Sequence, residues 1–170
     1  MTQKIMFQFP GQGSQAVGMG GSLAEAFPTA RAVFEEVNDA LGEDLFRLMQ
    51  DGPEDDLRLT RNAQPALFAA SMAALAVLKE KTGKELSAMT SFVAGHSLGE
   101  YSALAAAGTL AIGDAARLLR LRGDSMQDAV PAGEGAMAAI LGTEEAVIDE
   151  ITAEASAGGV IQLANDNAPG

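Results

Sequence analysis

The segment Ser91-Phe92-Val93-Ala94-Gly95-His96-Ser97-Leu98-Gly99-Glu100 leaves the surrounding chain little conformational choice. Phe92 to Ala94 is a short apolar run with the texture of a strand, and Leu98 opens a helical pattern. The turn between them is so tight that it requires Gly95 and Gly99. This is the pattern G-x-S-x-G in its strand–turn–helix setting. A serine on such a turn has its hydroxyl pushed clear of the sheet, and the flanking glycines let two backbones approach without a Cβ clash. The helix behind it aims free N–H groups, and the positive end of its dipole, at any oxyanion forming beside Ser97. The competing reading is a chance match in a glycine-rich chain. A strand before and a helix after weigh against chance, and Ser97 is the candidate nucleophile.

The 170 residues are 48% hydrophobic, enough for one sizeable core and a small appendage. No apolar run is long enough to span a membrane. Met1-Thr2-Gln3-Lys4-Ile5-Met6-Phe7 enters a strand-like segment at once and lacks the long apolar stretch of a signal peptide. The chain has no cysteine, which removes disulfides and thiolate metal sites and fits a reducing cytoplasm. No metal is expected. A net charge of −12 repels phosphate backbones and argues against nucleic acid as the main partner.

Taken in order, Ile5 to Phe9 reads as a buried first strand that Pro10 ends. Gly11-Gln12-Gly13-Ser14-Gln15-Ala16 then matches the form of the dinucleotide fingerprint G-x-G-x-x-A. The fingerprint needs a second strand ending in an acid about twenty residues on. Glu35 and Glu36 instead fall inside a helix that opens at Pro28 and closes at Gly42. The loop is better read as a backbone cradle for something other than a pyrophosphate, or as a plain turn. Leu45 to Thr60 reads as surface helix broken at Gly52-Pro53. Gln64-Pro65 opens a helix to about Lys79, with Gly83 as its stop. Its centre, Ala66 to Leu78, is apolar nearly all round and must be buried. The helix after Ser97 runs from Leu98 to Ala107 and stops at Gly108.

From Ile112 to Val130, Ala115, Leu118, Leu119, Met126 and Ala129 form one helical stripe. Arg117, Arg120, Asp124 and Asp128 form the opposite one. Arg122 falls within the apolar stripe, where a guanidinium is costly unless acceptors meet it. Two explanations stand: a structural partner inside the fold, or a substrate carboxylate gripped by paired hydrogen bonds. After Pro131 and Gly133 the texture changes. Ala136 to Leu141 reads as a strand, Thr143 to Ala155 as a helix capped by Thr143, and Val160 to Ala164 as a second strand. Residues 165–170 read as a turn.

A nucleophilic serine needs a base. The single histidine, His96, adjoins Ser97 but leaves the backbone in another direction, which suits a packing or hydrogen-bonding role better than deprotonating its neighbour. The base is then a carboxylate from elsewhere or a histidine outside these residues.

Phe9-Pro10-Gly11-Gln12-Gly13-Ser14-Gln15, Gln64-Pro65-Ala66-Leu67, Gly95 to Ala103, and Arg122-Gly123 with Met126-Gln127 resemble, in this order and over residues 1–170, the malonyl-CoA:acyl carrier protein transacylase family of bacterial fatty acid synthesis. The resemblance implies an α/β chain: an α/β-hydrolase-like large domain with a parallel sheet, incomplete, at 1–130. The first β-α-β half of a ferredoxin-like small domain would follow at 131–170. It implies that Ser97 is esterified by malonyl-CoA and relieved by the phosphopantetheine thiol of acyl carrier protein. The backbone N–H groups of Gln12 and Leu98 would form the oxyanion hole. Arg122 would hold the malonyl carboxylate, with Gln64 and His96 beside the substrate. No cofactor is implied, since the phosphopantetheine belongs to the partner. The family's histidine base and the rest of both domains are expected downstream of residue 170, so the missing C-terminal part is itself an expected partner. An acyltransferase domain of a larger synthase and a serine esterase or thioesterase are the alternatives.

Overall fold

β1 (Met6–Phe9) and β2 (Phe92–Gly95) pair in parallel, in register from Met6 opposite Phe92 to Phe9 opposite Gly95. The structure, a computed structural model, describes residues 5–130 and 133–167. The first four residues, Pro131 and the last part of the expected turn, 168–170, lie outside them. Parallel strands need a crossover, and here it is helical. In order come α1 (Gly21–Ala26), α2 (Pro28–Leu41), α3 (Leu45–Asp51), α4 (Glu54–Arg58), α5 (Thr60–Thr82) and α6 (Leu86–Met89). After β2 follow α7 (Leu98–Ala106), α8 (Ile112–Ala129) and α9 (Glu145–Ala155). The chain is thus a mixed α/β one, mainly helical around a small parallel sheet. It divides into two compact units, Met1–Glu134 and Gly135–Gly170.

In the first unit α2, α5 and α8 pack on one another, and α7 packs on both strands. The apolar stripe of α2 (Ala30, Val33, Phe34, Val37) meets Ala66, Phe68, Ala69 and Ala73 of α5, with Ala115, Ala116 and Leu119 of α8, in one core. The stops expected at Gly42 and Gly83 are both left-handed, a conformation that glycine adopts without strain.

Several expectations change in the first unit. β1 is not a buried strand: Phe9 is buried, but Ile5 and Met6 are about half exposed, because a two-stranded sheet buries only the positions that face a helix. Leu45 to Arg58 is not surface material, since α3 and α4 insert Leu45, Met49 and Leu57 into the core, and Phe46 stacks on Phe34 at 4.3 Å. α5 begins at Thr60 and carries Pro65 inside it. The buried stripe of α8 is Ala115, Ala116, Leu119 and Gly123, while Leu118 and Met126 are exposed. Arg120 and Arg122 stand on the two shoulders of that stripe. The side chain of Arg120, expected on the solvated face, is only 13% exposed.

In the second unit the helix forms, but its N-cap is Glu144, with no side-chain cap from Thr143. The strands expected at 136–141 and 160–164 are not formed. Two short strands cannot bury a face by themselves, and Leu141 and Val160 are correspondingly exposed. Thr152 and Ser156 instead donate back to the Ile148 and Thr152 carbonyls along α9.

One buried group in the first unit is idle. The Ser102 hydroxyl, on the packed face of α7, has no hydrogen-bond partner among the described residues. Ser102→Ala therefore removes a desolvated polar atom and no bond. Thermal melting should show the variant as stable as the parent, or up to about 1 kcal/mol more so. A clear loss would mean that the hydroxyl has an acceptor in the folded protein.

Candidate active site

Ser97 sits between β2 and α7 with φ 56° and ψ −116°, the one non-glycine of positive φ among the described residues. That conformation is strained for an L-residue and costs about 1–3 kcal/mol. The packing beneath it explains why it persists. A Cβ on Gly95 would stand 1.9 Å from the Gly99 carbonyl oxygen, and one on Gly99 would stand 2.4 Å from that of Phe9. Strand, turn and helix therefore meet backbone to backbone, and the end of β1 passes over the same spot. The turn is tied by Gly99 N–H to His96 O (2.9 Å) and Glu100 N–H to Ser97 O (3.1 Å). Adding one methyl should undo this: Gly95→Ala is expected to destabilise by about 3 kcal/mol or more. It should also lose acylation of Ser97. A Gly95→Ala protein that melts and reacts like the parent would mean the elbow can open.

Leu98, the first residue of α7, has no intrahelical acceptor for its N–H. The glycine loop lies against the turn. A Cβ on Gly11 would come within 3.2 Å of His96 Nδ1 and 3.3 Å of its carbonyl oxygen. Next to it, Gln12 is exposed and its Nε2 donates to Thr60 Oγ1 at 3.3 Å. Gly13 N–H donates to Gln15 Oε1 at 2.9 Å, so the loop is braced from within.

Arg122 reaches Ser97. Its Nη2 donates to Ser97 Oγ at 3.0 Å, and its Nη1 donates to Gln64 Oε1 at 2.5 Å. Gln64 is fully buried on α5, and its Nε2 donates to Met126 Sδ at 3.3 Å. That second bond fixes which way the amide faces, leaving its oxygen for the guanidinium. The choice of partner matters chemically. A neutral amide oxygen orients a cation without cancelling its charge, whereas a carboxylate would do both. Arg122 thus has a structural partner inside the fold, and that partner is an amide oxygen and not a carboxylate.

Gln64, Ser97 and Arg122 thus meet in one place, and Gly11-Gln12 and His96 adjoin it. His96 is solvent-exposed and has an interaction of its own. The contact of Arg122 with Ser97 supplies no base, because a guanidinium has only donors. Two participants have no site role assigned from the sequence. Met126 is one turn beyond Arg122, a spacing that puts both on one helix face. Thr60 carries no such signal, because its contact with Gln12 spans 48 residues. Among the described residues no group of three or more His, Cys, Asp or Glu could hold a metal ion, and no helix is long and apolar enough to cross a membrane.

Residues 6–160 match the family described as acyl transferase domain. The chain is 50% identical to the malonyl CoA-acyl carrier protein transacylase of Bacillus subtilis (strain 168), over 98% of this chain and 51% of that protein. Among solved structures it is similar to the acyl-carrier-protein-S-malonyltransferase of Bartonella henselae. That match has 54% identity and a TM-score of 0.89, over 98% of this chain and 52% of the other. It is also similar to a malonyl-transacylase solved in complex with a type II PKS acyl-carrier protein. Here identity is 48% and the TM-score 0.87, over 99% of this chain and 53% of the other. The chain spans about half the length of the curated relatives it matches. With the elbow, the arginine beside it and a family match over nearly all its length, the chain belongs to the acyl transferase domain family.

Proposed function

We propose that this chain carries the nucleophile and the acyl-recognition half of a malonyl-CoA:acyl carrier protein transacylase acting in the cytoplasm in fatty acid biosynthesis. Ser97 Oγ attacks the malonyl thioester, CoA leaves as the thiol, and a malonyl ester remains on Ser97. The phosphopantetheine thiol of acyl carrier protein then attacks that ester and restores the hydroxyl. The N–H groups of Gln12 and Leu98 hold the oxyanion in both halves, and Arg122 holds the malonyl carboxylate. Gln64 keeps the guanidinium aimed, and His96 borders the acyl site. The observation that carries this reading is the 3.0 Å contact between Ser97 Oγ and Arg122 Nη2. A nucleophile and a fixed cation that close can share one three-carbon acid, and acetyl offers the cation nothing. The names of the similar proteins point the same way.

The proton acceptor is assigned to a C-terminal part of the same enzyme, because the relatives are about twice as long as this chain. In that reading residues 1–130 belong to an α/β-hydrolase-like large domain, and 131–170 begin a ferredoxin-like small one. Its strands at 136–141 and 160–164 would form once neighbouring strands cover them. The test is to incubate the full-length protein with malonyl-CoA and locate the acyl adduct by peptide mass spectrometry. An adduct on Ser97 is expected. An adduct on another residue, or acetyl taken up as readily as malonyl, would overturn the reading.

A further inference from the structure

We propose that Arg120, which no part of the acyl-transfer chemistry uses, is the positioning residue that holds the start of α5, and with it Gln64, in place against Arg122. The inference rests on the transacylase reading for its effect on selectivity, though not for its geometry. Pro65 lies inside α5 and has no N–H, so the carbonyl four residues back, that of Arg61, loses its intrahelical donor. Arg120 Nη1 donates to that carbonyl at 2.5 Å and to Asn62 Oδ1 at 2.7 Å. Its other terminal nitrogen faces the carboxylate of Glu43. Burial draws the Arg120 guanidinium below its ordinary pKa, with Asp124 opposing. The side chain is thus held in place against a desolvation cost.

The same turn of α5 is the junction of the whole site. Thr60 receives Gln12 from the glycine loop, and Gln64 receives Arg122. Arg61 Nε pairs with Asp124 at 3.1 Å. A Cβ on Gly123 would stand 2.6 Å from Arg61 Cα, so α8 and α5 touch backbone to backbone here. A helix start interrupted by proline is the weak point of this junction, because its freed carbonyl would otherwise seek water. Arg120 supplies the missing donor from α8, the helix that also carries Arg122. One rigid turn of α8 thereby sets both the α5 backbone and the cation beside Ser97.

The test is a double-mutant cycle in the full-length protein. Arg120→Met removes the donor, and Pro65→Ala restores an N–H that can close on the Arg61 carbonyl. Arg120→Met is expected to lower kcat/KM for malonyl-CoA roughly 5- to 20-fold more than for acetyl-CoA, through a displaced Arg122. Its loss in Tm should shrink by about half or more in the Pro65→Ala background, a coupling that independent sites do not show. Arg120→Lys, which keeps one donor, should recover part of the selectivity and covers the case in which the methionine variant does not fold. A malonyl-to-acetyl ratio unmoved by either Arg120 variant overturns the positioning role even when Tm falls. Melting losses that add without coupling overturn the repair of the Arg61 carbonyl. The melting cycle needs no acyl transfer. Failure of the parent to acylate would therefore strike the transacylase reading, while the cycle still decides the clamp.

Discussion

Ser97→Ala is expected to abolish acylation by malonyl-CoA, with turnover of the full-length protein falling on the order of 10⁴- to 10⁶-fold. Ser97 is the residue forced to φ 56° between two glycines that leave no room for side chains, so the hydroxyl projects from the turn and is exposed. An exposed hydroxyl beside the free N–H of a helix start is where strain of this kind serves chemistry in the proposed function. Two variants separate chemistry from structure. Alanine keeps the strained φ and loses the oxygen. Ser97→Gly loses the oxygen and relieves the strain, so it should be inactive yet melt above Ser97→Ala, by a stability difference of about 1 kcal/mol. Residual ester formation in both variants would place the nucleophile elsewhere, whatever the geometry of the elbow.

Arg122→Ala should reduce kcat/KM for malonyl-CoA roughly 10- to 150-fold relative to acetyl-CoA, matching about 1.5–3 kcal/mol for a charge-assisted pair to a carboxylate. In the resting site the guanidinium donates to Ser97 Oγ and to Gln64 Oε1. In the proposed function a malonyl carboxylate would take over donors that the hydroxyl holds, with Gln64 keeping the fork in plane. Acetyl offers no such acceptor, so its loss on mutation should be small. Arg122→Lys is a sharper probe, because a point charge retains attraction but not the paired geometry. It should fall between the parent and alanine. Equal losses for the two acyl groups in Arg122→Ala would make the arginine a structural part of the elbow, with selectivity set elsewhere.

Sequence reading reached the elements whose cause is local. Ser97 was legible because two glycines, a short apolar run and a helix start all lie within ten residues. The bounds of α2 followed from Pro28 and Gly42, and the end of α5 from Gly83. The start of α5 was misplaced for a physical reason. Proline is favoured at the first helical position, so Gln64-Pro65 reads as an opening. Inside the helix it survives because Arg120 mends the lost bond from 55 residues or more away in the chain. The side of α8 that packs was likewise off by part of a turn. Periodicity finds a stripe but does not see which neighbour it meets, and close approach at Gly123 rotated the buried face toward the small residues.

What the sequence alone determined is the strained serine, the glycine loop, the principal helices and the presence of an arginine too costly to face an unoccupied core. These depend on steric and periodic rules acting over a few residues. Only the tertiary structure decided that this arginine rests on a neutral amide beside Ser97. It alone decided that Arg120 packs against the start of α5 and that the two expected strands of the second unit are not formed. Each of those outcomes is set by what stands opposite a residue in space. A guanidinium or a strand is stabilised by its partner, and local pattern carries no information about partners that lie tens of residues apart.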